Sequence, residues 1–284
     1  MDIEISPLFR RNKGLISMDE QLVLAASQIL IAGCGSVGGS IVEPLVRLGV
    51  GALKFADPES FDLTNLNRQA CVYADVGLPK AEVLAKRARS INPNVEVSVL
   101  SQGIQLDNVE TALDGVFLVI DGIDAETSPL AKFKLHEYAC RRRIPVLSGM
   151  DLGGMAIVYV FDYRRFKTRP FYGRANEADH LSGKISRCLR WVYYRDIPSD
   201  FLPVITARLE AGNSWPQVSY CVAAMSAIAS RTTLDVLMRR RVPHVIKFDV
   251  HASTHTLNIR LSEMLAWLPR LVRALRATKA KKDI

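Results

Sequence analysis

Residues 29–62 read ILIAGCGSVGGSIVEPLVRLGVGALKFADPESFD, and this stretch limits the possible folds sharply. Ile29, Leu30, Ile31 and Ala32 form the apolar run of a buried strand, and Gly33, Gly35 and Gly38 turn the chain. Ile41, Val42, Leu45, Val46 and Leu48 then recur at helical spacing. Residues 52–56 read as a second strand, which ends on Asp57. Strand, glycine turn, helix, strand and terminal acid, in that order, form the fingerprint of a nucleotide-binding α/β unit. Gly33 permits the tight turn, Gly35 lets backbone approach a phosphate, and Gly38 lets helix and strand pack closely. The helix N-terminus offers unpaired N–H groups to an anion. Asp57 stands where a carboxylate can accept both ribose hydroxyl protons.

The residues that follow change which nucleotide is meant. Thr64-Asn65-Leu66-Asn67-Arg68-Gln69 precedes Gly77-Leu78-Pro79-Lys80. A redox dinucleotide does not require an Arg–Lys pair just past the ribose acid; a triphosphate does, because its charge is concentrated. Arg68 can fork two oxygens and Lys80 adds a point charge. Read blandly, both are solvated surface cations. Residues 116–120, VFLVI, then predict a central parallel strand leading into Asp121-Gly122-Ile123-Asp124. Carboxylates at that end of a central strand face the ligand crevice. Beside a triphosphate the simplest role is a Mg²⁺ ligand; for Asp121 the alternative is a cap on the turn.

GCGSVGG, ADPE, NLNRQ, GLPKAE and DGID, in this order, resemble the ThiF/MoeB/HesA superfamily, relatives of the ubiquitin-activating enzymes. So do the opening PLFRRNKGLISMDEQLVLAAS and the later SGMDLGGMAIVYVFD. The resemblance runs from about residue 9 to 162 and resumes weakly over 215–250. It implies a Rossmann-like fold and ATP-dependent adenylation of a carboxylate. That carboxylate would be the C-terminal glycine of a ubiquitin-like or sulfur-carrier protein, a peptide terminus, or a modified tRNA base. Carried over residue by residue, Asp57 binds ribose, Asn65 and Arg68 hold phosphate with Gln69 adjacent, and Lys80 neutralises charge as pyrophosphate leaves. Asp124 holds Mg²⁺. Arg11 matches an arginine that reaches into a neighbouring subunit's site, with Arg10 the alternative. The chemistry is coherent: a carboxylate attacking an α-phosphate is already ionised and needs no general base, only positioning and charge cancellation.

The chain departs from its relatives in its cysteines. Cys34, Cys71, Cys140, Cys188 and Cys221 form no CxxC pair, so no structural zinc is expected. Cys188, flanked by Lys184, Arg187 and Arg190, is the one candidate for a thioester-forming nucleophile; those cations would lower its pKa. The plainer reading is a semi-buried cysteine. Few, unpatterned cysteines, no signal-peptide core and no apolar run long enough to span a bilayer point to a cytoplasmic protein without a membrane partner.

The fold expected is α/β, a doubly wound Rossmann-like sheet with an N-terminal helical arm and a C-terminal crossover and dimerisation extension. Residues 1–25 read as the arm and its helix, with Ser17 and Glu20 as a capping box. Residues 26–162 read as the adenylation domain, 163–214 as an aperiodic crossover, and 215–284 as a helix and strand extension completing the same domain. The small residues Ala223, Ala224, Ala227 and Ala229 suit either a dimer-facing or a core helix. The net charge of +8, from 37 basic and 29 acidic residues, exceeds what a nucleotide site needs. It can attract an acidic protein or tRNA, with Tyr163, Phe166, Phe171 and Tyr172 stacking on bases, or be scattered solvated charge.

The function expected is adenylation of the C-terminus of a carrier protein or peptide by a homodimer using ATP and Mg²⁺. The alternatives are dehydratase-type adenylation of a tRNA base carboxylate and an inactive, nucleotide-binding partner subunit. A nicotinamide-linked oxidoreductase would leave Arg68, Lys80 and Asp124 without a role.

Overall fold

The computed structural model describes residues 6–165, 169–211 and 215–280. Phe166 and the last four residues lie outside them. A 3-10 turn at Pro7–Asn12 leads to α1 (Met18–Ala25). Ser17 caps α1 as expected: its Oγ accepts the Glu20 N–H at 3.2 Å, and the Glu20 carboxylate accepts the Ser17 N–H at 2.7 Å. Then follow β1 (Gln28–Ala32), α2 (Ser36–Leu48), β2 (Ala52–Ala56), α3 (Lys80–Ile91), β3 (Glu96–Leu100), α4 (Val109–Ala112), β4 (Leu118–Asp121) and α5 (Pro129–Arg141). β5 (Val146–Leu152) and β6 (Met155–Phe161) form a hairpin. Beyond it lie α6 (Glu177–Leu181), α7 (Ile185–Cys188), α8 (Leu202–Ala211), α9 (Ser219–Leu237), β7 (Val245–Asp249), α10 (Val250–Thr254) and α11 (Leu257–Ala280).

The strands form one sheet ordered β3-β2-β1-β4-β5-β6-β7. β3 to β5 are parallel; β6 and β7 join antiparallel. Both faces are covered, so side chains along each strand alternate between two cores. Ile29 and Ile31 of β1 join the core under α2, α3 and α9, while Leu30 and Ala32 join the one under α4 and α5. The strand order reverses between β1 and β4, which opens a crevice at their C-terminal ends, the position where open α/β sheets bind ligands.

Two expectations resolve in this frame. The small-residue stretch, α9, is a core helix: Cys221, Val222, Met225 and Ala229 are buried, and Ser226 Oγ donates to the Ser40 carbonyl of α2 at 2.8 Å. The described residues of the crossover are folded: α6, α7 and α8 lie among them, and they pack an aromatic cluster on the second core. Tyr163 and Phe171 are buried there, at 2% and 0% exposure, so neither can stack on a base. Sequence periodicity missed this because Phe133 and His136 of α5 supply the other half of the cluster. Part of the basic charge is structural too. Arg164 grips Asp162 through two nitrogens at 2.7 and 3.0 Å and also donates to the Val236 carbonyl.

Candidate active site

The crevice is an open cleft of about 1730 Å³, lined by Gly33, Gly35, Asp57, Arg68, Gln69, Lys80 and Asp124 among others. Seven of the residues singled out from sequence thus meet in one place. Gly38 lies just behind them. Gly33 has φ +87°, and a Cβ there would stand 2.4 Å from the Gly122 carbonyl oxygen. The turn after β1 and the loop after β4 are therefore in backbone contact. A Cβ on Gly38 would stand 1.9 Å from the Gly33 carbonyl, so α2 seats directly on the turn.

Asp57 follows the last residue of β2 and is buried. Its Oδ2 accepts the Cys34 N–H at 2.5 Å and its Oδ1 the Glu59 N–H at 2.7 Å. Burial raises its pKa, and these two backbone donors act against the rise. Lys80, the first residue of α3, is buried, and its Nζ lies 2.6 Å from the exposed Glu59 carboxylate. Glu59 therefore presents Lys80 to the cleft, a role not anticipated from sequence. Arg68 donates through one nitrogen to the Thr64 carbonyl and to Asn67. Arg68 Nε and Gln69 Oε1 are buried with no hydrogen-bond partner among the described residues, on the wall that faces the glycine turn. A phosphate would engage the first of them, and the cradle around Gly35 has the room for it: the nearest atoms to a Cβ there belong to the Gln69 side chain, from 3.7 Å at Nε2.

Asn65 is not part of the cleft lining. Its Oδ1 accepts the Asp62 N–H at 3.0 Å in a local capping box. Arg11 and Arg10 are exposed on the N-terminal 3-10 turn and do not line the cleft of their own chain. Cys188 is buried, and burial raises its pKa rather than lowering it. Its Sγ faces the Asp179 carbonyl, and Arg190 pairs with the Asp179 carboxylate, so the basic neighbours do not activate the thiol.

The two acids of DGID part company. Asp124 is exposed in the cleft, with Oδ1 on the Glu126 N–H at 2.7 Å. Asp121 is fully buried. Its Oδ1 accepts the Ile123 N–H at 3.2 Å, which is the turn-capping role; its Oδ2 meets Lys132 Nζ at 2.6 Å, Ser148 Oγ at 2.7 Å and His136 Nε2 at 3.0 Å. Burial opposes its charge, but Lys132 and His136 outweigh that and hold it well below the usual carboxylate range. Burial lowers the pKa of His136 to about 4, so the ring is neutral: Nε2–H donates to Asp121 and Nδ1 accepts from the Tyr163 hydroxyl at 2.8 Å.

Asp151, at the C-terminal end of β5, is a cleft residue that sequence reasoning passed over. Its position after a strand run in SGMDLGG carried the same signal that picked out Asp57 and Asp121. Gln217 Nε2 donates to both its oxygens, at 2.9 and 3.1 Å, and reaches Ser36 Oγ at the start of α2. Nearby, Trp215 Nε1 donates to Glu126 at 3.0 Å, and Asn67 donates to the Gln217 carbonyl. Residues 215–217 thus tie four walls of the cleft together.

Burial raises the pKa of Asp151 to about 6. The unfolded chain ionises this group near the ordinary carboxylate value and the folded chain only near pH 6. Stability is therefore fully present below about pH 4 and falls as pH rises through this window. Two units amount to roughly 3 kcal/mol. Asp151→Asn lacks the titration, so its unfolding free energy relative to wild type should grow by about that much between pH 4 and 7 in denaturant titrations. A constant difference across the range would show that Asp151 is not so perturbed.

Among the described residues, no three His, Cys, Asp or Glu side chains cluster as a metal cage, and no helix is long and apolar enough to cross a membrane.

The sequence profile of the ThiF family matches residues 9–266. The chain belongs to the ThiF family. Among curated relatives of this ThiF-family chain, the tRNA threonylcarbamoyladenosine dehydratase of Escherichia coli K12 is 36% identical over 160 residues, which are 54% of this chain and 59% of that protein. The sulfur carrier protein ThiS adenylyltransferase of Bacillus subtilis 168 is 30% identical over 142 residues, 49% of this chain and 41% of that protein. The chain thus spans about half the length of the curated relatives it matches. Among solved structures, E. coli tRNA N6-threonylcarbamoyladenosine dehydratase in complex with ATP superposes with a TM-score of 0.58 at 26% identity, over 84% of this chain and 98% of that one. E. coli MccB with ATP is 16% identical with a TM-score of 0.57 and shares the fold. The family and the doubly wound α/β fold read from the sequence are both borne out.

Proposed function

We propose that this chain adenylates a carboxylate with ATP, and that the carboxylate is carried on a tRNA base rather than on the C-terminus of a carrier protein. The nucleotide half of the reading rests on the convergence of Asp57, Arg68, Lys80 and Asp124 around the glycine turn. In that arrangement Asp57 receives the ribose hydroxyls, and Gly35 with the N-terminal amides of α2 receives phosphate oxygens. Arg68 and Lys80 balance the charge that grows as a carboxylate oxygen bonds to the α-phosphorus and pyrophosphate departs. Asp124 is a hard oxygen donor open to the cleft, and Mg²⁺ commonly needs only one or two carboxylates plus the phosphates themselves. Asp124 would hold the ion, which would supply positive charge against the triphosphate. Arg11, exposed and away from its own cleft, is assigned to the cleft of a second copy in a homodimer.

The observation that carries the substrate half is the outer wall. Arg174, Lys184, Arg187, Arg190, Arg195 and Arg276 line the same cleft beyond the nucleotide groups. Such a concentration of cations suits a polyphosphate backbone far better than a small carrier's tail. The volume exceeds what a nucleotide fills. Similarity to tRNA dehydratases supports the same reading, and it moves the weight away from the carrier protein expected from sequence. The 30% identity to a ThiS adenylyltransferase favours the carrier as second reading.

The test is ATP–pyrophosphate exchange with bulk cellular tRNA, the same tRNA after ribonuclease, and a carrier protein ending in Gly-Gly. Exchange driven by intact tRNA alone is expected. Exchange with the carrier alone would replace the substrate reading. Absence of ATP binding in calorimetry would remove the adenylation reading itself.

A further inference from the structure

We propose that Lys132 is a positioning residue that, together with Asp121, holds the backbone of Ile123 so that Asp124 faces the nucleotide's metal; this rests on the adenylation reading above. Lys132 Nζ donates to Asp121 Oδ2 at 2.6 Å and to the Ile123 carbonyl at 3.1 Å. Asp121 Oδ1 accepts the Ile123 N–H at 3.2 Å. Both backbone polar groups of Ile123 are therefore bonded to one buried ion pair, and the next side chain along is Asp124. Asp124 itself is exposed, on a loop between β4 and α5, and without such a grip its carboxylate would sample many directions.

The pair is anchored from four elements. Asp121 ends β4 and Lys132 projects from the second turn of α5. Ser148 of β5 donates to Asp121, and neutral His136 of α5 donates to it while accepting from Tyr163, which follows β6. His136 is held in turn by Phe171, stacked at 3.8 Å between ring centroids. A buried ion pair is a poor stabiliser compared with apolar side chains of equal volume, because both charges lose their hydration. Stability alone is therefore a weak account of this one. Its geometry instead fixes the loop that carries the candidate metal ligand, as outer partners fix the ligands of other metal sites.

The experiment titrates Mn²⁺ by electron paramagnetic resonance in the presence of a non-hydrolysable ATP analogue. Wild type, Asp124→Ala, Lys132→Met and the double variant Asp121→Asn/Lys132→Met are compared. The double variant removes both charges together, so it folds even if Lys132→Met, with Asp121 left unpaired, does not. Lys132→Met and the double variant should bind Mn²⁺ about tenfold more weakly than wild type, while metal-free binding of the analogue changes less than twofold. Asp124→Ala should lose the Mn²⁺ site. A role in stability alone would lower the melting temperature and leave Mn²⁺ binding unmoved. A folded double variant that binds Mn²⁺ as wild type does, with Asp124→Ala defective, overturns the positioning role alone. A wild type with no nucleotide-dependent Mn²⁺ site overturns this inference and the metal role of Asp124 together.

Discussion

Arg68→Ala, Lys80→Met and Asp124→Ala should each slow ATP–pyrophosphate exchange by ~10²–10³-fold while melting close to wild type. The three groups approach the cleft from different elements. Arg68 comes from the loop after β2, Lys80 from the start of α3, and Asp124 from the loop after β4. On the proposed mechanism, forming an acyl-adenylate places extra negative charge on phosphate oxygens, and each group would balance part of it only as the bond changes occur. Their ties to the fold are light. Arg68 bonds locally to Thr64 and Asn67, Asp124 caps one backbone N–H, and the partner left by Lys80, Glu59, is exposed. Methionine at 80 keeps the buried stem packed. Three folded variants with wild-type exchange would place the chemistry elsewhere. On the proposed homodimer, a mixture of Arg11→Ala and Asp124→Ala chains should regain exchange, because a mixed dimer would rebuild one complete site. Two inactive chains that stay inactive together would remove the shared site.

Gly38→Ala should destabilise the fold by about 3 kcal/mol or more and abolish ATP binding, whereas Gly35→Ala should leave the melting temperature nearly unchanged and still weaken ATP binding. The contrast follows from what a single methyl group meets. At Gly38 it would lie 1.9 Å from the Gly33 carbonyl and 2.9 Å from Ile31, both immovable parts of β1 and its turn, so α2 must be driven off the sheet. At Gly35 its nearest neighbour is the end of a flexible glutamine, 3.7 Å away. The methyl there costs the fold little but stands where a phosphate would approach backbone. Denaturant titration and calorimetry of the two variants separate the effects. Equal stability losses at both positions would contradict this division of roles.

What the sequence disclosed follows from how far apart the cooperating residues lie. The turn at Gly33, the helix that starts at Ser36 and the acid at Asp57 belong to one contiguous unit, where local geometry dictates residue type. Arg68 and Lys80 follow closely enough to be read with it. Asn65 lies outside the cleft lining, its side chain closing a four-residue cap; capping and ligand binding ask for the same chemistry. Lys132 and His136 were invisible because α5 is an ordinary mixed helix in one dimension. Only folding shows that they point inward at Asp121. Gln217 and Trp215 reach the cleft across an interval no pattern spans. The aromatic residues after β6 were misplaced for a related reason: a segment without its own periodicity looked exposed, although its partners lay on a helix thirty-odd positions earlier.

The reversal of strand order between β1 and β4 also governs how the molecule is put together. β1, β2 and β3 pair with strands close in sequence, whereas Ile29 lies beside Leu118, and one ladder joins the two halves of the parallel sheet. Closing so long a loop costs entropy before the ladder returns any contact, so this seam is expected to form after the first three strands have paired. The cleft lies along the seam. Gly35, Asp57, Arg68 and Lys80 arrive with the first half, Asp124 and Asp151 with the second. On the proposed function, a nucleotide seated there is a staple across that seam. At a hundred times its dissociation constant it would add ~2.7 kcal/mol against unfolding.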